Sequence, residues 1–201
     1  MKVFALIIFF SLILISCETG YMEKDGKWVW ATYAGSLSRR FLPIEDQDFE
    51  SFIVLNEYHA KDKNNVYFER RKIYNTEASS FMIISEFYAK DKNSVYFDGD
   101  VILYADPNSF VLLGYPYSRD KSHVFCGGIP LMLTEKEVSM FKVTSKEEGT
   151  GSRGKARLSF FLEFHPEYQW LDTTGIEWIS YSDNGTGEVN ERKFKGFIEI
   201  K

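Results

Sequence analysis

Aspartate is the residue type whose placement first suggests chemistry. Asp25, Asp62, Asp91 and Asp120 each stand in a short polar stretch beside a Lys or Arg. Recurring carboxylates invite a calcium reading, but calcium takes about six to eight oxygen ligands drawn from several groups. Each stretch here offers one aspartate, so the residue type fits a turn better, where its side chain accepts from the backbone two residues on. The histidines His59, His123 and His165 share no metal-ligand spacing. Cys126 precedes Gly127-Gly128, which could form a nucleophile turn, yet no activating partner stands at a readable spacing. A small buried hydrophobe is the expected role of that cysteine. No catalytic residue, metal site or cofactor is therefore assigned.

Aromatic residues are the other candidates. There are 12 Tyr and 18 Phe in 201 residues, and many flank the aspartate stretches. Trp28, Trp30, Tyr67, Tyr96 and Phe125 follow them, and Tyr58, Phe87, Tyr88 and Tyr117 precede them. Regular repetition could line up Trp28, Trp30, Tyr67 and Tyr96 as an exposed ladder for a glycan or peptide. The same residues could instead pack across strands within a sheet, where aromatics pair well.

The elements that position these residues are repeated. Ser51-Phe52-Ile53-Val54-Leu55 recurs as Ser80-Phe81-Met82-Ile83-Ile84 and as Ser109-Phe110-Val111-Leu112-Leu113, a step of 29 residues each time. Lys61-Asp62-Lys63-Asn64-Asn65-Val66-Tyr67-Phe68 recurs as Lys90 to Phe97, and in altered form as Arg119 to Cys126, again at 29. Lys24-Asp25-Gly26-Lys27-Trp28-Val29-Trp30 reads as an earlier copy followed by an eight-residue insertion. Within each unit the apolar run favours strand, Asp62 to Asn65 favours a turn, and Val66-Tyr67-Phe68 leaves as a second strand. The unit is thus a β-hairpin. The runs FIVL, FMII and FVLL are apolar on both strand faces, which predicts strands covered on both sides. Asp106-Pro107 predicts a single helical turn before the next strand.

Thr134 to Glu137 predicts a capped short helix closing the array. Residues 146–155 read as a polar, glycine-rich loop. Leu158–Phe164, Ile176–Tyr181 and Phe194–Ile200 read as three strands of an antiparallel meander, with a hairpin turn at Asp183-Asn184-Gly185. The fold class is all-β: repeated hairpins of 29-residue period, short helical turns and a C-terminal three-stranded meander. The expected divisions are 1–16, 17–140 and 141–201.

The repeated Asp-Lys-Asn segments resemble the DKNYY repeat family of bacterial envelope proteins, over roughly residues 21–137. Residues 61–68 and 90–97 fit best, and Ala105 to Phe110 is similar to the family's connecting segment. Gly26-Lys27 and Ser122 depart from the motif. The resemblance implies fold and location rather than an activity.

The amino terminus has Lys2, an uncharged and nearly all apolar run from Val3 to Ile15, then Ser16-Cys17. A membrane span needs about 20 apolar residues, so a secretory signal fits better. Leu14-Ile15-Ser16-Cys17 resembles the lipobox of bacterial lipoproteins, which implies cleavage before Cys17 and lipid attachment to it. With 24 Lys+Arg against 29 Asp+Glu, the net charge is -5. That argues against bulk binding of nucleic acid or anionic lipid, although a local patch could survive. The resulting expectation is a lipoprotein of the bacterial cell envelope, anchored to a membrane through Cys17 on the periplasmic or surface face. It would act as a non-catalytic scaffold or binding module for a protein or envelope polymer. The alternatives are an envelope hydrolase with a non-local site and an immunity or inhibitor protein.

Overall fold

The computed structural model describes residues 19–34, 38–145, 153–172 and 174–200. The expected signal segment and Cys17 lie outside them. Among the described residues the fold is mostly β, built from small antiparallel sheets of hairpins with two short helices. Among the described residues no helix is long and apolar enough to cross a membrane.

The first sheet is a meander of β1 (Gly20–Lys24), β2 (Lys27–Ala34) and β3 (Ser38–Pro43). Its first turn is Asp25-Gly26, with φ of 52° and 69°. This is the two-residue turn that suits a hairpin, so Asp25 does not reproduce the four-residue loop around Asp62.

Each 29-residue repeat then folds as its own four-stranded sheet. The first holds β4 (Ile53–Val54), β5 (His59–Lys61), β6 (Val66–Phe68) and β7 (Arg71–Ile73). The second holds β8 (Met82–Ile83), β9 (Tyr88–Lys90), β10 (Val95–Phe97) and β11 (Asp100–Val101). The third holds β12 (Val111–Gly114), β13 (Tyr117–Arg119), β14 (Val124–Cys126) and β15 (Ile129–Pro130). The unit is therefore richer than a hairpin. Strands of two to four residues fit four crossings into 29 residues.

The apolar runs are not covered on both faces. β4, β8 and β12 are edge strands with a single neighbour, and Ile53, Met82 and Val111 are 55%, 53% and 46% exposed. Only the phenylalanine opening each run, Phe52, Phe81 or Phe110, is buried. The helical turn expected at Asp106-Pro107 is a single hydrogen-bonded turn, Ser109 N–H to Asp106 C=O at 3.2 Å.

Beyond the repeats come α1 (Glu135–Met140), β16 (Lys142–Ser145), β17 (Arg153–Arg157) and α2 (Leu158–Phe164). A 3-10 turn (Pro166–Tyr168), β18 (Trp178–Ser182), β19 (Thr186–Val189), β20 (Arg192–Lys195) and β21 (Ile198–Ile200) complete the chain. Thr134 caps α1 as expected: its N–H and hydroxyl both donate to Glu137 Oε2 at 2.8 Å.

The C-terminal strands differ from the reading of the sequence. β17 and β18 form one sheet, and β16-β19-β20-β21 form another. The meander exists as β19-β20-β21, not as the three segments first assigned. Leu158–Phe164 is helix, because Leu158 and Phe161 one turn apart are buried while Phe160 and Phe164 pack together outside, 4.7 Å between ring centroids. An uninterrupted apolar run fits either period, and burial decides. Arg153-Gly154-Lys155 is strand rather than loop. Residues 183–185 carry the chain between two sheets rather than closing a hairpin. Phe194–Ile200 breaks at Gly196, where φ is 57° and a Cβ would lie 2.6 Å from Asp183 Cα.

Among the described residues three apolar clusters fill the interior. Ile44, Phe52, Ala60 and Tyr67 form the first. Phe68, Phe81, Tyr88, Tyr96, Phe97 and Phe125, with their neighbours, join the repeats. The third runs from Tyr117 and Cys126 to Phe161, Ile179 and Phe194, so the last repeat shares a core with the C-terminal region.

Candidate functional site

The repeated aspartates are buried anchors. Asp62 Oδ1 accepts from the N–H groups of Asn64 and Asn65 at 2.8 and 2.7 Å. Its Oδ2 accepts from the Asp48 N–H at 2.9 Å and the Tyr67 hydroxyl at 2.6 Å. Asp91 repeats the set with Asn93, Ser94, Glu77 and Tyr96, all at 2.8 Å. Asp120 repeats the three backbone bonds, to Ser122, His123 and Asp106. Burial pushes the carboxyls of Asp62 and Asp91 up, but these bonds outweigh it and hold both below the usual range.

A second ring surrounds each anchor. Ser51 Oγ donates to Asp48 at 2.8 Å and accepts from the Lys63 N–H at 3.1 Å, while Lys63 Nζ pairs with Asp48 at 2.6 Å. Ser80, Glu77 and Lys92 repeat this, as do Ser109, Asp106 and Lys121. The oxygens of Asp62, Asp91 and Asp120 already face N–H donors, and Asp62 and Asp91 a phenol O–H as well, which suits a turn rather than a cation. Among the described residues no group of His, Cys, Asp or Glu could hold a metal ion.

The aromatics read as a possible exposed ladder lie in the core. Tyr67 and Tyr96 are fully buried, and Trp30 is buried against Tyr21 at 5.1 Å. Trp28 is half-buried and stacks on Phe52 at 5.1 Å, its backbone clasped by the Gln47 side chain at 2.9 and 2.7 Å. The phenol groups carry the polar bond to the aspartate, and the rings carry the packing.

The remaining candidates are also structural in their surroundings. His59 is buried, with Nδ1 on Asn56 Oδ1 at 3.1 Å, and burial pushes it down to about 4. Cys126 is fully buried, its thiol pushed up by burial and donating to Ser182 C=O at 3.2 Å. Gly127-Gly128 meets β18: the Gly128 N–H donates to Ser180 C=O at 2.9 Å, and a Cβ there would lie 2.5 Å from that oxygen. His123 stands in the Asp120 loop and His165 ends α2.

One concavity among the described residues was not anticipated. A groove of about 710 Å³ opens between β7, β11, Lys155 of β17 and the segment Gly175–Trp178. Tyr74 and Trp178 present aromatic surface in it, 63% and 38% exposed. Its inner wall is an ion-pair cluster. Asp100 accepts from Lys155 Nζ at 2.6 Å and from Ser180 Oγ at 2.5 Å, and Arg71 lies 3.8 Å away. Behind it, Asp98 pairs with Arg153, whose guanidinium lies 4.0 Å from the Phe87 ring centroid. Burial pushes Lys155 down, and Asp100 opposes that. Burial pushes Asp98 up, against the pull of Arg153. The signal for this cluster was in the repeat register: Arg71, Asp100 and Ile129 occupy one repeat position with three different chemistries. The change marks where the second repeat meets the C-terminal strands.

Stacked four-stranded units, each closed by a buried aspartate loop, define a β-repeat protein. The chain belongs to the DKNYY family, whose model matches residues 21–87 and 72–129, more than half of its length. No curated protein and no solved structure matches the chain.

Proposed function

We propose that the protein is a lipid-anchored, non-catalytic binding module of the bacterial cell envelope, held through Cys17, with the groove beside Tyr74 and Trp178 as its ligand site. The observation that carries the reading is the groove itself. Its volume lies in the range of ligand sites, and it combines exposed aromatic surface with equal numbers of acidic and basic residues, of which Asp100 pairs with Lys155 and Arg71. Glu45, Asp100 and Glu177 balance Arg71, Lys72 and Lys155 in its lining. A lining of that kind favours an uncharged polar chain, such as the glycan of an envelope polymer. Its CH faces would lie on the aromatic rings and its hydroxyls on the charged side chains of the lining.

The non-catalytic reading is supported by the surroundings of Ser180 beside the groove. Ser180 is 1% exposed and donates its hydroxyl to Asp100, so it serves as a buried tie between sheets. Calorimetric titration with purified envelope glycan tests the groove. Trp178→Ala and Tyr74→Ala should each weaken binding about tenfold or more, the loss of one good aromatic contact. Unchanged affinity in both variants would remove the groove from the reading. Cys17→Ser tests the anchor separately, since it should release the protein from the membrane fraction.

A further inference from the structure

We infer that the stacked pair Tyr104–Trp170 is a second sugar-binding platform that lengthens the groove, so that its ligand is a chain of several rings rather than one or two sugars. This rests on the groove reading proposed above and specifies the class of ligand.

The repeat register places Tyr104 along the groove. Glu45, Tyr74 and Asn75 line it where one unit gives way to the next. The Tyr74 hydroxyl donates to Glu45, its own counterpart one unit earlier, at 3.4 Å. One step of 29 residues onward, Tyr74-Asn75 becomes Leu103-Tyr104. Gly99, Asp100 and Val101 supply the lining just before it, and Gly175 to Trp178 supply the facing segment. Tyr104 is three residues beyond Val101, and Asp172 is three before Gly175. The Asp172 N–H donates to the Tyr104 hydroxyl at 2.7 Å. The two segments that line the groove are thus tied again at most about 10 Å of chain beyond it.

Tyr104 departs in chemistry from the residues that share its position. Asp46, Asn75 and Tyr104 hold one backbone conformation in successive units, with φ of 46°, 58° and 66°. Asp and Asn visit this left-handed region readily, whereas a bulky ring there is uncommon and strained. Burial does not account for the tyrosine, which is 44% exposed. Its ring stacks instead on Trp170, 5.7 Å between centroids and 25° between planes. Trp170 is itself 49% exposed. Stacking and the Asp172 bond fix the orientation of a wide aromatic surface and leave much of it open. Such a surface offers large contact area to the CH face of a sugar. It stands on the same segment as Trp178, eight residues earlier. A ligand that meets both tryptophans must follow that segment, which is the geometry of a chain.

Calorimetric titration of the full chain with the disaccharide and the hexasaccharide of N-acetylglucosamine, both uncharged, tests the platform. The hexasaccharide should bind about tenfold or more tightly than the disaccharide, the gain from one further aromatic contact. Trp170→Ala should remove most of that preference, whereas Trp178→Ala should weaken both sugars. Tyr104→Asn puts the residue of the preceding unit on a backbone that already suits it, so it should fold while losing the stack, and the preference should fall here too. A pair that only ties two segments of the fold would leave the preference intact in both variants. A preference unchanged in Trp170→Ala and Tyr104→Asn, or equal affinity for the two sugars, overturns the platform and leaves the groove. Binding of neither sugar overturns the groove reading as well.

Discussion

The Tyr67 hydroxyl donates to the Asp62 carboxylate at 2.6 Å, and Tyr96 repeats the bond to Asp91 at 2.8 Å. At the same position of the third repeat stands Phe125, which has no hydroxyl to offer Asp120. One repeat unit thus exists in two forms within a single chain, with and without the phenol.

Removing an anchor should be costly. Asp62→Ala leaves three backbone N–H groups and the Tyr67 hydroxyl without their acceptor. A loss of about 3–5 kcal/mol is expected from the urea midpoint, the range for a buried hydrogen-bonded charge. Tyr67→Phe should cost about 1–2 kcal/mol, and Phe125→Tyr should recover about 1 kcal/mol by completing the third unit. Equal stability of Asp62→Ala and the native chain would refute the anchoring role. Chelator should leave all these midpoints unchanged.

Acid should unfold the protein through the same loops. The carboxyls of Asp62 and Asp91 lie below their ordinary values, and that of Asp106 is pulled down to about 2, first by the Asn108 N–H and then by Lys121 and Ser109. A carboxyl depressed in the folded state stabilises above its unfolded pKa. That stability is lost as pH falls through the folded value. Thermal midpoints should therefore fall as pH drops from about 4 toward 2. The drop should be smaller in Asp106→Asn.

His59 adds a separate step at higher pH. It is buried and pushed down from 6.5 to about 4. The unfolded chain binds its proton first, so stability falls as pH drops from 6.5 toward 4. The shift corresponds to about 3 kcal/mol. Tyr88, one repeat onward, donates its hydroxyl to the Pro116 carbonyl at 2.7 Å, whereas among the described residues His59 Nε2 has no partner. His59→Tyr should remove the step and raise stability at neutral pH. A step that persists in this variant would exclude His59 as its source.

Gly128→Ala should loosen the last repeat from β18. The added methyl would meet the Ser180 carbonyl oxygen at 2.5 Å, which must move with the strand. A cost of about 2–3 kcal/mol is expected in denaturant, with hydrogen exchange rising at Gly128 N–H and its neighbours. A native exchange pattern would show that β18 yields without loss.

Local chemistry written three times was legible in the sequence. The 29-residue step, the aspartate turns and the strands leaving them follow from residue type alone, because an Asp followed by polar residues bonds its own backbone wherever the fold places it. The Thr134–Glu137 cap was legible for the same reason. Where two periods fit one apolar run, as in Leu158–Phe164, local pattern could not choose. The groove cluster was hidden because Arg71, Asp100, Lys155 and Ser180 are far apart in the chain and meet only when the C-terminal strands cross the repeats.

By itself the sequence determined a repeated β protein with one turn per unit and aromatics on either side. Tertiary structure alone decided which of those aromatics face inward, since a strand of two or three residues has no face until its neighbours cover it. The interior took Tyr67 and Tyr96, with their hydroxyls on aspartate, and left aromatic surface exposed at Tyr74 and Trp178. A tyrosine is buried readily when its hydroxyl meets an acceptor, and only the assembled fold supplies one.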